Sequence, residues 1–212
     1  MSTAIIGTGG LGSVIARRLA SGGEILRLSS SADAESAQTL AAAIGRGAVA
    51  ASDNRDALQG ADAVILALRF DMLKAVIEEI ADSLTDKLVV VPSSPVGLDV
   101  QRKIVRLLPQ GQSSGTVVAG WLPEGVRLAM AFGSMSGDLF ESSSNRSPEP
   151  AVLFYATDDE HAGGQLEQLI RTAGFEPVKV GGVEQSVRLE VGGDLHDLVV
   201  GPAEASALID GA

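Results

Sequence analysis

"AIIGTGGLGSVIARRLASGGEILRLSSS", residues 4–31, decides the fold. Ala4-Ile5-Ile6 is a short apolar run stopped by Gly7, the pattern of a buried parallel strand. Gly7, Thr8, Gly9, Gly10, Leu11 and Gly12 then spell G-x-G-x-x-G. From Gly10 to Ser21 the apolar residues Leu11, Val14, Ile15 and Leu19 recur at helical spacing, with Arg17 and Arg18 on the other face. Gly22 and Gly23 end that helix, and Ile25 to Leu28 reads as a second strand. The glycine motif therefore lies between a strand and a helix, the context that gives it a mechanism. Gly7 permits a tight turn, Gly9 lets the backbone approach a pyrophosphate, and Gly12 lets the helix pack on the strand. Unpaired N–H groups and the dipole at the helix start favour an anion there.

The second strand ends on Ser29, Ser30 and Ser31, with Ser29 standing 22 residues after Gly7. An acidic side chain at this place would hold a ribose diol and would repel a 2′-phosphate. No acid stands here, so the spacing favours NADP over NAD, with three neutral hydroxyls as donors to phosphate oxygens. Ser31 is also a candidate cap for the next helix, as is Asp33.

Beyond Ser31 the alternation continues. A helix ends at Ile44, Val49-Ala50-Ala51 is a weak strand, and Asp53 to Gln59 is a short helix. Ala63 to Leu68 is the strongest strand, and Asp71 caps a helix with Leu73, Val76, Ile77, Ile80 and Leu84 at helical spacing. Leu88 to Val91 is a strand stopped by Pro92. From Val96 to Gly115 the reading is less decided; Ile104 to Leu108 fits a strand or a helix. A short helix is expected from Thr116 to Leu122 after Ser113-Ser114, then a strand from Arg127 to Phe132. Gly137 to Pro150 is polar and Ser-rich and reads as a surface loop. Then come a strand (Val152 to Ala156), a helix (Asp159 to Ala173) and a strand (Pro177 to Val180), with further helices near Val183–Leu189 and Ala203–Ile209. The expected fold class is α/β, a Rossmann-type doubly wound parallel sheet with a small C-terminal α/β addition. The expected division is a dinucleotide-binding domain over 1–136 and a small C-terminal region over 137–212 packing on it.

Composition narrows the function classes. Of 212 residues, 45% are apolar, enough for a proper core, and only 3% are aromatic, so Ala, Val, Leu and Ile must build it. A formal net charge of −11 argues against nucleic acid or an anionic membrane as partner and leaves small molecules and proteins. The absence of Cys excludes disulfides, thiolate catalysis and Cys-based metal sites. The first strand begins too early for a signal peptide, and no apolar run approaches a membrane span, so a cytoplasmic protein is expected. His161 reads as a solvated first-turn residue, and His196, between Asp194 and Asp197, as a turn residue; no metal site is expected. Trp121 and Tyr155 read as packing residues.

Several stretches resemble the coenzyme F-420-dependent NADP oxidoreductases and their relatives. They are "IIGTGGLGSVIARRLASGGEI" (5–25), "DAVILALRFD" (62–71), "KLVVVPSSPVG" (87–97) and "AVLFYATDDEHAGGQLEQLIRTAGFEPVKVGGVEQSVRLE" (151–190). "LAMAFGSM" (128–135) resembles that family's K-A-F-x-T segment. The resemblance implies a generally dimeric enzyme that passes hydride between NADP(H) and a deazaflavin or flavin-type partner stacked in a cleft. It implies that Thr8 to Leu11 hold the pyrophosphate, that Ser29 and Ser30 face the 2′-phosphate, and that Leu68, Arg69 and Phe70 line the nucleotide path. Ala131 to Met135, with Ala131 and Gly133 foremost, would lie near the nicotinamide and the second ring. No catalytic acid or base stands out, which such chemistry does not require. The chain departs from the family at Ser29-Ser30, where Ser-Arg is frequent, at Met130, where Lys is common, and at Gly133, where His or Asn is common. Arg69, where the family often has Pro, is the expected replacement for the missing charge. The alternative function is a nucleotide-binding regulator or a catalytically silent relative. A reductase of a small imine or ketone is a third reading, disfavoured by the short C-terminal region.

Overall fold

The central strands of this molecule send successive side chains into two different cores. The structure, a computed structural model, describes residues 1–30 and 33–210, so the expectation on Ser31 lies outside the described residues. Its elements run Ser2–Ile6 (β1), Gly10–Ser21 (α1), Ile25–Ser29 (β2), Ala34–Ile44 (α2), Ala48–Ala50 (β3), Asn54–Ala57 (α3), Ala63–Leu66 (β4), Phe70–Ile80 (α4), Leu88–Val91 (β5), Val96–Leu98 (β6), Ile104–Arg106 (β7), Ser114–Ala119 (α5), Arg127–Met130 (β8), Gly137–Ser143 (α6), Val152–Ala156 (β9), Glu160–Thr172 (α7), Glu176–Gly181 (β10) and Pro202–Asp210 (α8). Ile5, Ile65 and Val90 join one core with Ile15 and Leu19 of α1 and Leu166 of α7. Their neighbours Ile6, Val64 and Val89 join the other, with Leu73 and Ile77 of α4. This is the sheet period of two, covered by helices on both faces.

Eight strands form one sheet in the order β10-β9-β8-β5-β4-β1-β2-β3. The pairings are parallel, except that β8 meets β9 antiparallel where Met130 faces Ala156. The chain builds β1-β2-β3 in one direction, then returns to the other side of β1 to lay down β4, β5 and β8. The topological switch thus falls between β1 and β4, and a crevice opens at their carboxyl ends. Residues 137–212 contribute β9 and β10 to this same sheet.

Two local expectations are corrected, and one open reading is decided. Asp71 does not cap α4: the cap residue is Arg69, and Asp71 sits in the first turn and pairs with the Arg69 side chain. Gly137–Ser143 is a helix, because Phe140 is fully buried against Phe132 and Phe175. One large ring anchors an otherwise polar segment. The undecided Ile104–Leu108 stretch is a strand over Ile104–Arg106, paired antiparallel with β6. Asp99 makes the turn between them: its carboxylate accepts from the backbone N–H groups of Gln101 (2.8 Å) and Lys103 (2.9 Å).

Candidate functional site

The loop after β1 is set by contacts that tolerate only glycine. Gly7 has φ +102°, and a Cβ there would stand 2.2 Å from the Ala67 carbonyl oxygen at the end of β4. A Cβ on Gly12 would stand 2.1 Å from the Gly7 carbonyl oxygen. These two glycines bring β1, β4 and α1 together. Gly9 and Gly10 differ: both are exposed, and a Cβ on either would meet nothing within 4 Å. Gly9 is the N-cap of α1, which has no side-chain cap and no acid in its first turn. The start of a twelve-residue helix is therefore left open at the crevice, with its N–H groups free to take an anion. Thr8 is buried, and its hydroxyl lies 2.6 Å from that of Ser36 on α2.

At the end of β2 the serines separate. Ser29 is buried at 1% exposure, and its hydroxyl donates to the Asn54 side-chain oxygen. Asn54 in turn donates to the Glu79 carboxylate at 3.1 and 3.3 Å. The Ser29 hydroxyl is thus spent inside the protein, because an inward-facing position on a parallel strand must satisfy its polar atom internally. Ser30 is half-exposed, and its hydroxyl accepts from the Asp33 N–H at 3.3 Å. Arg27, also on β2, is held by Asp56 at 2.7 Å. The backbone N–H of Ser52, its hydroxyl and Arg27 together hold the Asp56 carboxyl below its ordinary range, the backbone donor contributing most.

Arg69 does not replace a basic clamp beside Ser30. It follows β4, whereas Ser30 follows β2, and β1 runs between them. Two strand spacings amount to about 10 Å. Arg69 is 74% exposed and pairs with Asp71 at 2.7 Å. Leu68 and Arg69 instead line an open pocket of about 390 Å³ that runs past Ser93 and Ser94 to Leu98 and Ile104 of the β6–β7 hairpin. The Phe70 ring is buried and packs on Trp121, centroids 5.5 Å apart, and Phe70 also borders that space.

Ala131 and Gly133 follow β8. Ala131 is buried, and a Cβ on Gly133 would stand 1.8 Å from the Pro92 carbonyl oxygen, so the loops after β5 and β8 touch through backbone. Phe132 between them has φ +67°, an unusual conformation for a bulky residue, secured by complete burial of its ring. A small pocket, about 20 Å³, lies here and brings in Ser114 and Glu190, which the sequence reading did not single out. Nothing local marks them; only the fold sets Glu190, 76 residues downstream, against Ser114. Tyr155 donates to Glu167 at 2.7 Å, and burial pushes its hydroxyl pKa up, consistent with packing. His196 lies half-buried, 3.5 Å from the Asp197 carboxylate. Among the described residues no group of three or more His, Asp or Glu side chains is arranged to hold a metal ion, and no helix is long and apolar enough to cross a membrane.

An open, doubly wound sheet with a glycine-lined helix N-terminus at its switch point defines a Rossmann-type α/β fold. Residues 2–95 match the model of a particular family, the coenzyme F420-dependent NADP oxidoreductases, which is the family the sequence resembles. A search of curated proteins finds no match. Among solved structures, a hypothetical protein, SMa0349 from Sinorhizobium meliloti, is 27% identical with TM-score 0.82 and 95% of each chain covered. A protein from Arthrobacter sp. FB24, provisionally described as an F420-dependent NADP-reductase, is 18% identical, with TM-score 0.75, 88% of this chain and 87% of that one. An imine reductase from Myxococcus stipitatus, solved with NADP+, is 17% identical with TM-score 0.61; 88% of this chain matches 57% of it. The fold is thus that of NADP-dependent reductases.

Proposed function

We propose that this protein is an NADP(H)-dependent oxidoreductase that passes hydride between the nicotinamide and a deazaflavin (coenzyme F-420) or flavin-type partner. The observation that carries the reading is the contrast within the glycine loop. Gly7 and Gly12 are required by the fold, while Gly9 and Gly10 have open space where a side chain would stand. That space lies over an uncapped helix start, and it fits a pyrophosphate. The match of residues 2–95 to an NADP-dependent family and the NADP+ held by the Myxococcus imine reductase support the choice of cofactor.

The nicotinamide, when bound, supplies the hydride. This chain's residues bind and orient. The N–H groups from Thr8 to Leu11 hold the pyrophosphate. Ser30 is the described hydroxyl available to the 2′-phosphate, since Ser29 is committed to Asn54. Leu68, Arg69 and Phe70 line the path, and Ala131 and Gly133 border the ring. The open pocket against the β6–β7 hairpin, about 390 Å³ and lined by Leu68, Val96, Leu98 and Ile104, has room for a second planar ring. The division at residue 136 becomes one of roles: the first part holds the nucleotide, and residues 137–212 close the far end of the crevice. The small-molecule partner, the cytoplasmic setting and a homodimer belong to this same reading.

The test is a fluorescence titration with NADPH and NADH, followed by NADPH oxidation with the deazaflavin and with FMN as acceptors. Binding of NADPH and hydride transfer to one acceptor are expected. Failure to bind either dinucleotide overturns the proposal.

A further inference from the structure

The loop from Ala131 to Ser136, between β8 and α6, is fixed from two sides. On one side Gly133 lies against the Pro92 carbonyl of the loop after β5, where a Cβ would stand 1.8 Å away. On the other side stands Asp197, 61 residues downstream of Ser136. Its N–H donates to the Ser134 carbonyl at 2.7 Å. Its carboxylate Oδ1 accepts from the Ser136 N–H at 2.6 Å. One residue thus grips the backbone on both sides of Met135, whose side chain is buried. The grip uses an unusual backbone: Asp197 has φ +56°, in the left-handed region that Asp and Asn tolerate better than most residues with a Cβ. The segment that carries Asp197 is itself anchored. Glu190 accepts from the Ser114 N–H and hydroxyl at 2.6 and 2.7 Å, the Val191 N–H donates to the Ser94 hydroxyl at 3.0 Å, and Leu195 is buried. Residues 190–197 therefore run from α5 past the loop after β5 to the loop after β8.

Ser136 and Asp197 are both exposed, so water could satisfy either group, and their hydrogen bond adds little to stability. Its effect is geometric: it removes the freedom of the backbone that follows Gly133. We propose that Asp197 is a positioning residue for the hydride step. It holds Ser134 and Ser136, and through them it sets where the backbone of Ala131 to Gly133 stands against the nicotinamide. The inference rests on the reading above that Ala131 and Gly133 border that ring. Asp197 acts through the loop and touches neither the cofactor nor the second substrate. Hydride transfer between stacked rings is sensitive to such placement: an error of about 1 Å can cost about 100-fold in rate. The acting group is the Oδ1 acceptor. The other carboxylate oxygen stands 3.5 Å from His196 Nδ1, so the charge and the acceptor can be tested apart.

The experiment compares the wild type with Asp197→Gly, Asp197→Asn and Asp159→Ala. Asp197→Gly keeps the left-handed backbone and removes the carboxylate. Asp197→Asn keeps that backbone and an acceptor oxygen. Asp159→Ala is the stability control. It removes the N-cap of α7, where the carboxylate accepts from the Ala162 N–H at 2.9 Å, beside Arg127 at the opposite end of β8. The readouts are the melting temperature, the dissociation constants of NADPH and of 2′,5′-ADP (no nicotinamide), and kcat for NADPH oxidation with the deazaflavin or FMN. In Asp197→Gly, NADPH should weaken about five-fold and kcat should fall about ten-fold, with 2′,5′-ADP within about two-fold of the wild type. Either loss, with 2′,5′-ADP unchanged, supports the assignment. Asp197→Asn should recover to within about two-fold of the wild type. Asp159→Ala should melt earlier and bind NADPH as the wild type does. Wild-type NADPH affinity and kcat in Asp197→Gly overturn the proposal. Equal weakening of 2′,5′-ADP, or the same losses in Asp159→Ala, overturn it as a general structural effect. Failure of Asp197→Asn to recover overturns it as well, because the charge beside His196 would then be the acting group. If the wild type reduces neither acceptor, the two dissociation constants decide the matter. If the wild type binds neither NADPH nor 2′,5′-ADP, the dinucleotide reading itself has failed, and this assignment falls with it.

Discussion

A Cβ placed on Gly12 would stand 2.1 Å from the carbonyl oxygen of Gly7. The glycine motif is therefore two pairs with different jobs. Gly7 and Gly12 let β1, β4 and α1 approach; Gly9 and Gly10 face open space. Gly12→Ala should destabilise the protein by about 1–3 kcal/mol through overpacking. Gly9→Ala should leave the melting temperature near the wild type's, because its φ of −75° suits alanine and no atom blocks the new methyl. The same variant should weaken NADPH binding at least about ten-fold, since the methyl occupies the approach to the pyrophosphate. Melting curves and titrations on the pair check both halves. Wild-type NADPH affinity in Gly9→Ala would sink the placement of the pyrophosphate.

The serines at the end of β2 make a second, separable prediction. Ser29→Ala loses the bond to Asn54 and should cost about 1–2 kcal/mol, with the ratio of NADPH to NADH dissociation constants unchanged. Ser30→Arg should raise the preference for NADPH, because a guanidinium beside the half-exposed Ser30 position meets a 2′-phosphate bidentately. Arg69→Ala should alter stability by less than about 1 kcal/mol, its pair with Asp71 being solvent-exposed, and should leave the ratio alone. An unchanged ratio in Ser30→Arg would show that the phosphate lies elsewhere.

What the sequence revealed depends on whether the cause was local. β1, α1, β5 and β9 lie where the apolar runs and glycines put them, because a buried parallel strand and an amphipathic helix bounded by glycines write their own patterns. Asp33, Ser113 and Asp159 cap their helices through their side chains, a signal also carried by neighbours in sequence. The direction of Ser29 was not legible, since a serine at a strand end reads the same whether it faces a ligand or Asn54. Nor was the Ser114–Glu190 contact, made by residues 76 apart that only the closed fold brings together.

Gly137–Ser143 shows the same limit from the other side. Its serines and acids suggest a loop, yet Phe140 is fully buried, its ring centroid 4.7 Å from Phe175 and 6.0 Å from Phe132. Phe140→Ala should cost about 3–5 kcal/mol by the cavity it leaves. Because Phe132 holds its left-handed backbone by packing on that ring, the variant should also weaken NADPH binding, while 2′,5′-ADP binding persists. Denaturant unfolding with the two titrations tests this. A loss of stability with NADPH affinity intact would separate the aromatic cluster from the nucleotide end of the crevice.

Glu24 gives the pH dependence. It lies at 6% exposure just before β2, where the Thr3 hydroxyl donates to it at 2.8 Å and the N-terminal ammonium stands 3.9 Å away. Burial pushes its carboxyl above the ordinary value of 4.5, outweighing the lowering by Thr3 and the ammonium. A folded-state pKa above the unfolded one means that the neutral acid is the form the fold favours. Its stabilising contribution is full below about pH 4.5 and is lost as pH rises through the folded pKa. Glu24→Gln keeps an acceptor for Thr3 and never ionises. Its melting temperature should therefore gain on the wild type's as pH rises from about 4 to about 7, the gap widening as Glu24 ionises. Melting curves at both ends of that range measure it. A gap that narrows with pH would mean that the ammonium and Thr3 outweigh desolvation, and that Glu24 is favoured as the ion.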